Sequence, residues 1–479
     1  MMGLCRGLFK VLLLIVLTIV AIVCCLFIPG VEREYISVTH RYLGSLAVTR
    51  ALVYFPVAFR HAMEYGVPIC MAPWWNPMLI TAIDGHKRDG VYQAPLFNLA
   101  MRVSHASVRA MHYDPKLQRR RDVFVEWNTT RAPPGYFGAG VLPTFLQLNT
   151  DDPVRLQRRD LVVATMPALA ETPSSVESFK PLPDASAEEL VSEVKRYVRF
   201  PVGIVPVKIQ DVYAFNFFRH AFEVDLSRAE LELLKEWTGV NFYPLLGLGS
   251  ESGAARSTEI REVLLKRVAE GPFGRRFLAE AARRGVNGEE CLRQTLWQFV
   301  FAGFGGNAPG GALATKYVLM KIQSAPQTYV PMFRRDPRAF VLESLRMYPG
   351  GGIGLTSVPA PETKKLTLGD GRVVMEHKGD TIGTVTPHAN KDPAVFGGPE
   401  QNPDFAAAFV PGREHADRIL TFVSEIRDIR KCPNMTGCSQ APRFCMGAFL
   451  VQRLIKQIAE YYVDGLAKIS PVEVGREEM

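Results

Sequence analysis

A chain of 479 residues, 47% hydrophobic and 22% charged, has material for a large core and lies outside the disordered class. Its formal charge of +8 is spread along the chain rather than blocked, and no nucleic-acid motif accompanies it, so no nucleic-acid partner is expected. The spread of the eight cysteines argues against a disulfide scaffold.

The first predicted element is the uncharged apolar run 11–28, long enough with its neighbours to span a bilayer. Its end makes a poor cleavage site, which favours a retained anchor over a cleaved signal peptide. The flanking charges, Arg6 and Lys10 before and Arg33, Arg41 and Arg50 after, leave orientation open. The stretch 51–83 is broken by Arg60, His61, Glu64 and prolines, so it reads as globular or membrane-grazing. Further on, 118–122 is a basic surface loop. At 184–198 a helix is predicted, with Ser186 as N-cap and Glu189 three residues later. Residues 258–284 form a basic helical pair broken at Gly271 to Gly274.

Residues 296–307 are apolar and then glycine-rich, and Pro309 breaks or kinks the helix there. In 339–349, Glu343 and Arg346 share a helical face at i,i+3 among apolar neighbours, which predicts a buried pair. Residues 366–386 carry a Gly-Asp-Gly turn and read as β-hairpin strands. Gly-Pro clusters at 349–361 and 397–412 are loops within one domain.

Cys445 stands at the mouth of an amphipathic helix whose apolar face holds Leu454, Ile455, Ile458, Ala459 and Tyr462. A cysteine there is either a buried structural thiol or a thiolate ligand to a haem iron. Gly447 leaves room beside it, and Arg443 offers a cation to a haem propionate. Cys432, Cys438 and Cys445 are too loosely spaced, with no histidine near, to read as a metal cluster.

Taken together, Asp152-Pro-Val-Arg-Leu-Gln-Arg-Arg159, the glycine-rich central helix, the Glu343-x-x-Arg346 helix, the 388–413 segment and the Cys445 loop resemble the cytochrome P450 superfamily in content and order, over roughly residues 90 to 465. The resemblance implies a mainly α fold with small β-sheets, a P450-like haem-thiolate domain over 31–479 behind an N-terminal transmembrane helix in 1–30. It implies haem b as cofactor, with iron on Cys445 and propionates met by Arg155, Arg159 and Arg443. Arg155 stands where many relatives have a histidine. Glu343, Arg346 and Arg413 would form a structural ion-pair triad, although aligning Pro403 to Pro411 instead would put alanines in the place of Arg413. Cys438 and Ala441 depart from the family's phenylalanine and glycine in the cysteine loop.

The central string Phe301-Ala-Gly-Phe-Gly-Gly306 is similar to that of allene oxide synthases and hydroperoxide lyases, as are 214–249 and the region before the cysteine. Gly305 and Gly306 replace the acid and threonine of oxygen-activating relatives; Ala302 replaces an asparagine of the hydroperoxide enzymes; Gly303 and Asn307 complete the candidate catalytic stretch. The implied activity is rearrangement or cleavage of lipid hydroperoxides without external reductant. The alternatives are a monooxygenase served by NADPH-cytochrome P450 reductase and a haem-binding protein without catalysis. The implied partners are membrane lipid and a hydrophobic small molecule, with a cytosolic catalytic domain anchored by a single span on the endoplasmic reticulum.

Overall fold

A computed structural model describes residues 17–18, 91–94, 99–102, 104–113, 152–172, 179–183, 185–199, 205–240, 251–303, 310–349, 353–357, 363–367, 373–376, 381–432 and 444–469. The apolar run 11–28 lies outside these except for Leu17 and Thr18, which are helical and exposed. No helix among the described residues is long and apolar enough to cross a membrane.

Among the described residues from 91 onward, strands β1 (Val91–Ala94) and β2 (Leu99–Arg102) come first, then helices α1 (His105–His112), α2 (Pro153–Thr165), α3 (Ala187–Arg199), α4 (Val207–Phe222), α5 (Arg228–Val240), α6 (Glu251–Glu270), α7 (Pro272–Arg283), α8 (Gly288–Gly303), α9 (Gly310–Ser324), α10 (Pro326–Arg335) and α11 (Pro337–Met347). Strands β3 (Ile353–Ser357), β4 (Lys364–Thr367), β5 (Val373–Glu376) and β6 (Thr381–Val385) follow, then short helical turns, and the chain's last described element is α12 (Ala448–Ile469).

Local chemistry fixes several starts. Asp152 caps α2, accepting from Val154 N at 2.8 Å, with Pro153 in the first turn where its missing N–H costs nothing. Asp336 caps α11 in the same way, accepting from Ala339 N at 2.9 Å ahead of Pro337. At α3 the expected reciprocal cap is present: Glu189 N donates to Ser186 Oγ at 3.2 Å and Ser186 N donates to Glu189 Oε2 at 3.1 Å. Ser186→Ala removes one arm and is expected to cost about 1 kcal/mol. A thermal melt should then show a Tm lower by about 1–2 °C for a chain of this size.

The core is helical. Leu454, Ile455, Ile458, Ala459 and Tyr462 of α12 are all fully buried, and α12 packs against α3, α4 and α9. A second focus is aromatic: Phe217 and Phe222 of α4 meet Phe299 of α8 at ring centroids of 6.3 and 6.0 Å, and Phe222 meets Phe273 of α7 at 5.5 Å. Trp237 Nε1 donates to Ser257 Oγ at 3.0 Å, tying α5 to α6.

The larger sheet has the order β1-β2-β6-β3. β1 and β2 are antiparallel, β2 and β6 parallel with Ala100 opposite Ile382, and β3 runs antiparallel to β6. β4 and β5 make a separate antiparallel pair, with Lys364 opposite Glu376. The expected hairpin over 366–386 is therefore divided. Its last strand, β6, leaves for the larger sheet, where it is flanked by β2 and β3.

Candidate functional site

Cys445 lies one turn before α12. Its N–H donates to Phe422 O at 2.8 Å, and its carbonyl accepts from Ala448 N at 3.1 Å, so the loop is held by backbone bonds. Phe444 and Met446 on either side are buried, whereas Cys445 is a free thiol that keeps some accessible surface. Burial pushes the thiol above its ordinary pKa, while the Gly447 N–H and the Arg159 guanidinium pull the other way.

Gly447 is less tightly enclosed than its expected role suggests. A Cβ there would sit 3.8 Å from Cys445 Sγ and 3.9 Å from Val451 Cγ2, which is ordinary contact. Packing against the described residues therefore does not demand a glycine at 447.

α2 delivers Arg159 to the same loop. Its Nη2 donates to Phe444 O at 3.0 Å, and its guanidinium lies 4.4 Å from the Phe444 ring centroid. Burial, with Arg155 as a second cause, pushes the Arg159 pKa down to about 9. Arg155 is buried too, and desolvation lowers its pKa as well. Two buried guanidiniums thus sit close enough to oppose each other's charge.

Tyr213 of α4 is fully buried, and burial raises its pKa. Its Oη presses on α9, where a Cβ added to Gly311 would come within 1.7 Å of it. Only a glycine permits that approach. Tyr213 stacks on Phe217 at 6.0 Å, and Phe217 contacts Phe299, so α8 joins α4 in one aromatic layer. Ala302 and Gly303 are the final residues of α8. Gly305, Gly306, Asn307 and Arg443 lie outside the described residues.

Glu343, Arg346 and Arg413 come together. Arg346 Nε and Nη2 each donate to the Glu343 carboxylate at 2.8 Å. Arg413 Nε reaches both Glu343 oxygens at 3.2 Å, and Val410 N donates to Oε1 at 2.8 Å. The remaining guanidinium hydrogens go to carbonyls: Arg346 to Asn390 O at 2.8 Å, Ala406 O at 2.7 Å and Ala408 O at 2.8 Å, and Arg413 to Phe396 O at 2.6 Å and Ala408 O at 2.7 Å. The second alignment would have put alanines in place of Arg413; the alanines there, Ala406 and Ala408, supply only carbonyls.

Sequence reasoning missed a second buried carboxylate. Glu425, fully buried, has Arg109 Nε at 3.1 Å, Arg418 Nε and His105 Nε2 at 3.6 Å, and Arg427 in closer contact. Tyr113 Oη accepts from Glu425 N at 3.0 Å and donates to Asp428 at 2.7 Å. Tyr113 and Glu425 lie 312 positions apart in the chain, so no local pattern announces them. They pin the segment whose Phe422 carbonyl holds Cys445. Among the described residues no His, Cys, Asp and Glu cluster could hold a metal ion, and Cys432 is disulfide-bonded.

No family profile matches the sequence, and no curated protein matches it. Solved structures do. CalO2 shares 16% identity over 80% of this chain and 88% of its own, with a TM-score of 0.55. The cytochrome P450 CREJ shares 14% over 83% and 90%, with a TM-score of 0.53. The P450 heme domain of Tepidiphilus thermophilus shares 16% over 82% and 86%, with a TM-score of 0.51. The chain has the cytochrome P450 fold. Within this P450 fold, the Glu343 cluster braces α11 against the 390–413 segment, while Arg159 is tied to the Cys445 loop just before α12.

Proposed function

We propose that the chain binds haem b through Cys445 and is a haem-thiolate enzyme that rearranges or cleaves lipid hydroperoxides. The observation that carries the haem reading is the bond by which Arg159 of α2 reaches the loop that carries the Cys445 thiol. The donor set suits the group. A thiol is available as axial ligand. The buried Arg155 and Arg159 oppose one another, and carboxylate propionates would offset both charges. Gly447, which packing against the described residues does not require, keeps a side chain away from Sγ. Arg443, two residues before the cysteine, is the third candidate for a propionate.

When bound, the haem supplies a thiolate-ligated iron able to cleave the O–O bond the substrate brings. The chain's own residues then decide which chemistry is served. Gly305 and Gly306 offer no side chain to hold or relay a proton, so the identities of these two residues, rather than their placement, favour a substrate that already contains its peroxide. Ala302, where the similar enzymes carry an asparagine, lacks an amide to orient that group. The apolar run 11–28 is proposed as a single-pass anchor on the endoplasmic reticulum, with the haem domain cytosolic and in contact with membrane lipid.

The purified protein, given a long-chain fatty-acid hydroperoxide and no electron donor, is expected to consume it. Ala302→Asn should raise the rate, and Gly305→Asp with Gly306→Thr should not. Hydroxylation that depends on NADPH and a flavin reductase, tightly coupled in the unmodified protein, would replace this reading with the monooxygenase. Haem uptake with turnover in neither assay would favour the binding protein.

A further inference from the structure

The segment whose carbonyl holds Cys445 is bent in a way that its own residue resists. Among the described residues, Glu223, Gln401, His415 and Val423 have left-handed backbones without being glycine, and Val423, at φ 68°, is the β-branched one. That conformation brings Cβ against the following carbonyl oxygen, and for a branched side chain it is a true outlier. It persists only where the surroundings over-determine it.

Here they do so from both sides. Before the bend, Leu420 N donates to Asn390 Oδ1 at 2.8 Å, Val423 N donates to Leu420 O at 3.1 Å, and Phe422 O accepts from Cys445 N at 2.8 Å. The last two bonds are made by one peptide unit, the Phe422–Val423 link, and φ of Val423 is the angle that turns that unit. After the bend, Ser424 and Glu425 are fully buried, and Glu425 N donates to Tyr113 Oη at 3.0 Å. The Val423 side chain is only half-buried, so its packing does not account for the conformation. A glycine would adopt it without strain.

We propose that Tyr113 is a positioning residue for Cys445 that acts through the strained backbone at Val423. Tyr113 Oη fixes the far side of the bend. Once that hold is lost, Val423 relaxes out of the left-handed region and turns the Phe422 carbonyl away from the Cys445 N–H. The inference rests on Cys445 as the haem ligand and goes beyond it by naming what keeps the ligand in place.

The test follows the haem-loaded, reduced carbonyl complex and times the loss of its thiolate-type absorbance. Tyr113→Phe should shorten the half-life about tenfold, since it strips a buried N–H of its partner. Asp428 loses a bond too, but it keeps Arg109 and Lys431 at 3.3 Å. In the Val423→Gly background the same Tyr113→Phe change should move the half-life by no more than about twofold, because a glycine there has no strain to release. Melting curves check the strain by themselves: Val423→Gly should melt above Val423→Ala, the reverse of the usual order. An equal loss of half-life in both backgrounds would make Tyr113 merely structural and overturn the inference. So would an unchanged half-life in Tyr113→Phe, or an alanine variant that melts above the glycine one. A wild type with haem bound but no thiolate-type spectrum would instead sink Cys445 as the ligand, and Tyr113's role with it.

Discussion

Glu343→Ala is expected to give a protein that neither folds stably nor takes up haem. The side chain is fully buried, and it accepts from two guanidiniums and the Val410 N–H. Its removal would leave Arg346 and Arg413 facing each other with no carboxylate between them; burial and Arg346 already lower the Arg413 pKa. Breaking a buried pair in this way costs on the order of 3–5 kcal/mol. Whole domains hold only about 5–15 kcal/mol of net stability, so the loss is a large share of the total. Glu343→Gln keeps the shape and one acceptor oxygen while removing the charge, and its soluble yield should fall between the wild type and the alanine variant. Yield, far-UV circular dichroism and haem absorbance report the outcome. A well-folded, haem-loaded Glu343→Ala protein would refute the brace.

Cys445→Ala should do the opposite: keep the fold and lose the thiolate spectrum. The loop is tied by the Cys445 N–H to Phe422 O and by its carbonyl to Ala448 N, and neither bond uses the sulfur. The residue keeps some accessible surface, so truncating it opens little new cavity. Helical circular dichroism should therefore be unchanged, while the reduced carbonyl complex loses its thiolate-type absorbance. Cys291 is no substitute, since it lies within α8, packed into the hydrophobic core. Cys438→Ala should leave the spectrum as it is. The reverse pattern, with Cys438 essential and Cys445 dispensable, would relocate the ligand.

What the sequence made legible was local. The Ser186–Glu189 cap, the β4–β5 pairing, the buried face of α12 and the Glu343–Arg346 spacing each depend on residues close to one another in the chain. What it left open depended on distance. Two alignments competed for Arg413 because its partner is 70 positions away, and no periodicity spans that gap. The Arg159 bond to Phe444 O crosses 285 positions, and it is what joins two motifs that were separate strings in the sequence. β6 read as part of a hairpin because its composition cannot say which strand it pairs with.

The parallel union of β2 with β6 also has a consequence in time. His105 N, just after β2, donates to Asp392, which is 287 positions later in the chain. At a synthesis rate of about 5–20 residues per second, β2 emerges from the ribosome roughly 15–60 s before the strand that completes its second side. Over that interval β1 covers one edge of β2 and the other stays open to any passing strand. A nascent chain halted before β6 would keep that edge for good, so truncations just upstream of Thr381 should be chaperone-bound or aggregated even though most of the helices are already made.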